Sequence, residues 1–175
     1  MSNRIDFISS VAPSESVTLA ARRALSRLVA TSDAIWPALL RITLGGVMAP
    51  HAAQKTFGLF GGYGITGTMG FFTKQMHLPA PLAALVIFAE AAGSVGLVFG
   101  VLTRAAALGI ASVMVGAIVT THLPNGFFMN WFGTQAGEGY EYHLLVLAMV
   151  AALVIGGGGR ASIDRAIARA LGSAS

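Results

Sequence analysis

Cysteine is absent from this 175-residue chain. The chain by itself therefore has no disulfide, no thiolate metal site and no CxxC or persulfide chemistry. Charge is scarce too: 10% of residues are charged against 55% hydrophobic, and mean hydropathy is +0.73. Water-soluble domains carry about 25% charged residues, so the deficit argues for a protein folded in lipid. Lys and Arg exceed Asp and Glu, 11 to 7. The basic residues lie beside apolar segments, which suits anchoring at an anionic membrane surface and gives no sign of a nucleic-acid partner. The first 30 residues lack the compact apolar core and small-residue cleavage site of a secretory leader. No GxGxxG pattern sits between a strand and a helix and no HExxH pattern occurs, so a phosphate cradle is weakly supported and no metal motif is present.

Four long apolar stretches are present, at about 34–53, 80–102, 105–121 and 140–158. A spanning helix needs about 20 largely apolar residues. The predicted fold is therefore all-α: an integral membrane four-helix bundle over 34–158, preceded by a cytoplasmic segment, 1–33, and followed by a cytoplasmic tail, 159–175. Within the first segment, Leu19, Leu25 and Leu28 alternate with Arg22, Arg23 and Arg27. That pattern predicts a short amphipathic interfacial helix, with disorder up to about Pro13. Ser32 or Asp33 is placed to cap the first span, with Pro37 in its first turn. Pro79 and Pro81 open the second, Thr103 and Arg104 turn into the third, and 123–126 stop it. The glycines at 156–159 end the fourth, and Ser162 caps an amphipathic tail helix.

Arginine sets the orientation. Arg22, Arg23, Arg27, Arg104, Arg160, Arg165 and Arg169 fall on one side of a four-span hairpin, and the 123–139 loop has no Lys or Arg. The positive-inside rule puts both termini in the cytoplasm. Trp131 with Phe127, Phe128 and Phe132 suits the outer interface, and Trp36 the inner one. The 56–78 loop alternates glycine with aromatics and reads as a flexible lid over the outer end. Gly45/Ala49, Gly96/Gly100 and Ser112/Gly116 are small residues four apart, a spacing that favours close helix approach.

Few polar residues interrupt the spans. Arg41 lies about 9 Å into the first and Glu90 near the middle of the second. Intramembrane charges face the interior and mark function by default; the alternative is that the two simply pair and set helix register. At the outer end, His51 and Lys55 share a helix face, His122 ends the third span, and Glu138, Glu141 and His143 begin the fourth. Such a group can orient a polar head such as a quinone carbonyl, or can be interfacial hydrogen bonding alone. Glu141 and His143 are two apart and point apart. Glu141 is predicted inward, with Leu144, Leu145 and Ala148 continuing its face.

Taken in order, Arg41 with Gly45, His51 to Lys55 before the glycine-aromatic loop, Glu90 with Gly93, Gly100 with Arg104, and His122 before Asn125-Gly126-Phe127-Phe128 form a pattern. Glu138-Gly139-Tyr140-Glu141 and Gly159-Arg160-Ala161-Ser162-Ile163-Asp164 complete it. The pattern resembles the DoxX family of four-span bacterial inner-membrane proteins, over nearly all of the chain after Ala34. The resemblance implies association with membrane oxidoreductase complexes. The related DoxD subunit belongs to a thiosulfate:quinone oxidoreductase, and DoxX is linked with thiol and superoxide handling through soluble partners. It carries Arg41, Glu90, His122 and Glu141 over as family-typical positions. Any reactive thiol must then reside in a partner. The expected function is a quinone-interacting subunit of a membrane oxidoreductase system, with Arg41, His51, Lys55, Glu90, His122 and Glu141 as candidate quinone-binding residues and quinone as the candidate cofactor. The alternative is a non-catalytic scaffold that recruits soluble redox enzymes; homo-oligomers are compatible with either. A transporter has less support, since no inverted repeat or broken helix is evident.

Overall fold

Proline and glycine punctuate the chain as the sequence suggests. In the computed structural model, which describes residues 15–172, the described residues form seven α-helices and no strand. They are α1 (Glu15–Val29), α2 (Trp36–Phe57), α3 (Gly64–Gly70), α4 (Ala80–Phe99), α5 (Thr103–Ala117), α6 (Glu141–Gly156) and α7 (Ile163–Ala170). Pro37 and Pro81 each sit in a first helical turn, where the missing N–H breaks no bond. Gly100 ends α4 with φ at 67°, a left-handed conformation open to glycine at little cost. Ser162 caps α7, accepting from the Arg165 N–H at 3.1 Å. The predicted disorder up to Pro13 lies outside the described residues.

Several local expectations need correction. Neither Ser32 nor Asp33 caps α2: the capping position is Ile35, without a side-chain bond, and Asp33 instead pairs with Arg165. The helix also runs four residues beyond Ala53, because Gln54, Lys55 and Thr56 continue it before Gly58 turns left-handed. The 56–78 segment is largely helical rather than a loop. A 3-10 turn at Leu59–Gly61 leads into α3, which passes into a π turn at Phe71–Gln75. A second π turn, Ile118–His122, and a 3-10 turn, Leu123–Asn125, extend α5.

The long helices pack as sequential neighbours, α2 on α4, α4 on α5, α5 on α6, and α6 returns to α2. Leu44, Met48, Leu97, Ile110, Val146 and Leu153 fill the space between them. Small residues bring the axes together: a Cβ added at Gly45 would lie 2.9 Å from the Ser94 carbonyl, and one at Gly93 2.9 Å from Ile110. Ser112/Gly116 does not act this way, since an added Cβ at Gly116 meets nothing within 4 Å.

The outward surface is as apolar as the core. Phe88 and Leu145 are each 67% exposed and Ile155 79%, a belt that water would not tolerate. Two helical stretches among the described residues, Ala80–Phe99 and Thr103–Asn125, are long and apolar enough to cross a membrane. Only 39% and 22% of their most apolar portions are buried, the reverse of core helices in a water-soluble protein. Lipid is the solvent that these surfaces fit.

Candidate functional site

Polar groups collect at two opposite ends of the long helices. At one end Arg41, 1% exposed, spends all five of its N–H donors. Nε donates to the Gly158 carbonyl at 2.9 Å. Nη1 donates to Leu97 at 3.1 Å and to Val98. Nη2 donates to Ala161 at 2.7 Å and to Arg160 at 3.4 Å. The acceptors include carbonyls at the end of α4 and just beyond α6, the negative poles of both helices. Asp164, also 1% exposed, accepts from the N–H groups of Leu102 and Thr103 at 2.7 and 2.8 Å and so caps the start of α5. Arg104 repeats the device, donating from Nε to Val154 at 2.9 Å and from Nη2 to Ile155 at 3.2 Å at the end of α6. This end is a structural knot.

Arg41 does not pair with Glu90. The knot holds its guanidinium, and no donor remains for a ligand. Of the two readings open for Arg41, the structure supports the structural one, with helix ends rather than a carboxylate as partners.

The opposite end is hollow. A cavity of about 620 Å³ lies between the halves of α2, α4, α5 and α6 far from Arg41, under the Phe71–Gln75 turn. At its polar wall Lys55 Nζ donates to Glu90 Oε1 at 2.7 Å, with Glu90 1% and Lys55 28% exposed. A buried carboxylate is tolerated only with such a partner. Among the described residues one ammonium N–H is used, leaving two, and Glu90 Oε2 takes no hydrogen bond.

His122 sits on the π turn at the end of α5. Its Nδ1 lies 2.8 Å from the Glu138 carbonyl, which can only accept. Nδ1 therefore carries the proton, and in the neutral ring Nε2 is a free acceptor. The rings of His122 and His143 are 4.2 Å apart. Tyr142 reaches only the Met48 sulfur, at 3.9 Å. His51 completes the polar wall, while Leu82, Leu85, Val86, Phe71 and Phe72 line the rest. Both π turns border the cavity, and such turns recur at functional sites.

Four of the six predicted candidates thus meet in one cavity: His51, Lys55, Glu90 and His122. Glu141 does not. Its Oε1 accepts from Trp131 Nε1 at 3.2 Å outside the cavity, and His143 is buried in its place. The inward prediction for Glu141 is reversed, and Leu144 and Leu145 are exposed. The true inner stripe of α6 is His143, Val146, Val150 and Leu153. Helical spacing contains that stripe, but α6 is apolar on every face, so hydrophobicity does not distinguish it. Sequence reasoning missed Tyr142 and, having placed His143 in this group, turned it to the wrong face.

Apolar helices that expose their side chains, together with a mostly apolar cavity between them that holds a charged pair, define a helical membrane protein. The DoxX family model matches residues 36–123, half of the chain, and the chain belongs to the DoxX family. The match covers α2 to Leu123, just past the π turn that extends α5, a shorter segment than the resemblance along the chain suggested. No curated protein and no solved structure matches the chain.

Proposed function

We propose that this chain is a four-span bundle of the bacterial inner membrane, with both termini cytoplasmic, that binds quinone as a subunit of an oxidoreductase system. The orientation rests on the arginines: Arg104, Arg160 and Arg165 all lie at the Arg41 end and bond to helix ends or to Asp33 there. The cavity is then near the outer face. α1 keeps Leu19, Leu25 and Leu28 exposed beside exposed Arg22, Arg23 and Arg27, as an interfacial helix would.

The observation that carries the binding reading is a charged pair, Lys55–Glu90, on the wall of an otherwise apolar cavity. The donor set fits a quinone head. Lys55 has two N–H groups and Tyr142 a hydroxyl for ring oxygens, and Phe71, Phe72 and Met76 offer flat apolar contact. A bound quinone would supply reversible transfer of two electrons and two protons. The chain's own part is to orient the head and exclude water. Glu90 Oε2 and His122 Nε2 are the atoms at which it can take up a proton. Arg41 and Glu141 are left out of the site. Sulfur or thiol chemistry would need a partner to hold the reactive thiol, because this chain has no cysteine.

Titrating a decyl-tailed benzoquinone into purified protein in nanodiscs, with tryptophan fluorescence as the readout, tests this reading. Wild type and E141A should bind alike, and E90Q should bind about tenfold or more weakly. Absence of binding by wild type, or unchanged binding by E90Q, refutes it.

A further inference from the structure

The walls of the cavity point to how a ligand gets in. On their inner halves α4 and α5 are in tight contact. A Cβ added at Gly93 would meet Ile110 at 2.9 Å, one at Gly96 would meet Ala106 at 3.0 Å, and one at Gly109 would lie 3.6 Å from the Ala89 carbonyl. Two turns further out the contact is gone, since a Cβ added at Gly116 meets nothing within 4 Å. Extending the same antiparallel register sets Gly116 opposite Leu85 and Val86. All three line the cavity, with Leu82 and Thr120 beyond them. Gly116, Leu82, Leu85 and Thr120 are exposed. The helices are thus zipped at one end and splayed at the other, and the cavity reaches the lipid-facing surface through the splay.

Two features keep the gap open. Small side chains, Ser112, Gly116 and Thr120, make the α5 edge at four-residue spacing. Ser112 and Thr120 also turn their hydroxyls onto their own helix, donating to the Leu108 and Gly116 carbonyls at 3.0 and 2.8 Å. Their polarity is thereby satisfied within the helix, which suits a surface facing hydrocarbon. The π turn that follows α5 places His122 at the polar end of the same passage.

We propose that the cavity loads sideways from the bilayer through the α4–α5 gap, and that its ligand is an amphiphile with one apolar tail. The head rests by Lys55, Glu90 and His122, and the tail leaves past Gly116 between Leu82 and Leu85 into lipid. This rests on the cavity being the binding site, as proposed above. Polarity along the passage selects the occupant: the charged pair and imidazoles lie at its deep end, and the mouth is Leu, Val and Gly, with the Ser112 and Thr120 hydroxyls turned onto their own helix. A small hydrophilic ligand would lose contact with every group at the mouth, and a two-tailed phospholipid would meet the closed inner half of the helix pair.

The lack of native cysteine makes a direct test available. The G116C variant places a thiol where the added Cβ has free space, and L145C places one on α6 at an equally lipid-exposed site. Each variant, in nanodiscs, is titrated with the decyl-tailed benzoquinone before and after alkylation by N-cyclohexylmaleimide. L145C should bind like wild type before alkylation, and each variant is compared with its own affinity before alkylation. Afterwards G116C should lose about tenfold or more in affinity while L145C stays unchanged. Full binding by alkylated G116C, or equal loss in both, overturns the lateral route and leaves the cavity reading intact. No binding by unmodified protein overturns both.

Discussion

Replacing Arg41 with Ala separates a structural arginine from a ligand-binding one. The substitution removes five hydrogen-bond donors at once. The Arg160 and Ala161 carbonyls belong to exposed residues and can turn to water, but Leu97 and Gly158 are buried and Val98 half-buried. An acceptor left buried without a partner costs about 1–3 kcal/mol. Two or three such groups bring the loss to about 3–5 kcal/mol, which is also the usual effect of deleting one member of a buried charge set. Asp164 adds to it by staying buried without its neighbouring cation. At about 2–4 °C per kcal/mol for a chain of this length, Tm should fall on the order of 10 °C. Arg41→Lys restores the charge but not the planar fork of donors, and should recover about half of the loss. Thermal unfolding in nanodiscs is followed by Trp36 fluorescence, since that ring lies against Gly156 at the same end. Quinone affinity measured below Tm should be unchanged in either variant. A Tm within about 2 °C of wild type, combined with lost binding, would refute the structural assignment and return Arg41 to the ligand site.

The remaining predictions concern the cavity and the helix contacts. K55M leaves Glu90 buried alone and should destabilise by about 3–5 kcal/mol, while the K55M/E90L double variant should regain most of that yet bind no quinone. Additive effects in this cycle, measured by thermal unfolding, would show that the two charges are independent. Gly45→Ala pushes a methyl into the Ser94 carbonyl and Val98 and should destabilise by about 1–3 kcal/mol. Gly116→Ala enters open space and should be neutral or stabilise by up to about 1 kcal/mol; the same unfolding measurement ranks the two.

Helix positions were legible in the chain because they depend on local chemistry. Pro37 and Pro81 suit a first turn, Gly100 and Gly157 adopt the left-handed φ that ends a helix, and Ser162 caps the tail helix that follows it. The glycine-rich 56–78 segment was the exception. Its glycines promised a loop, yet their absent side chains also let α3 settle beside α2, where Gly62 lies directly on the Gln54 backbone. The polar residues at the cavity end were legible as a group, since charges beside apolar stretches stand out. Their partners were not. Glu141 and His143 exchanged roles because lipid and core are both apolar, so the hydrophobic periodicity that orients a helix in water is missing from α6.

From sequence alone, then, came the solvent, the helices and the short list of polar residues, all of them properties of composition and of neighbours within a few positions. The pairing of that list was a tertiary decision. Arg41 and Glu90 sit on adjacent helices and invite each other on paper, but the rotation and offset of α2 against α4 carry Arg41 to the helix ends and bring Lys55 to Glu90. The gap beside Gly116 is of the same kind: glycines at 93, 96, 109 and 116 look alike in the chain, and only the divergence of α4 from α5 makes the last one a door and the others a seam.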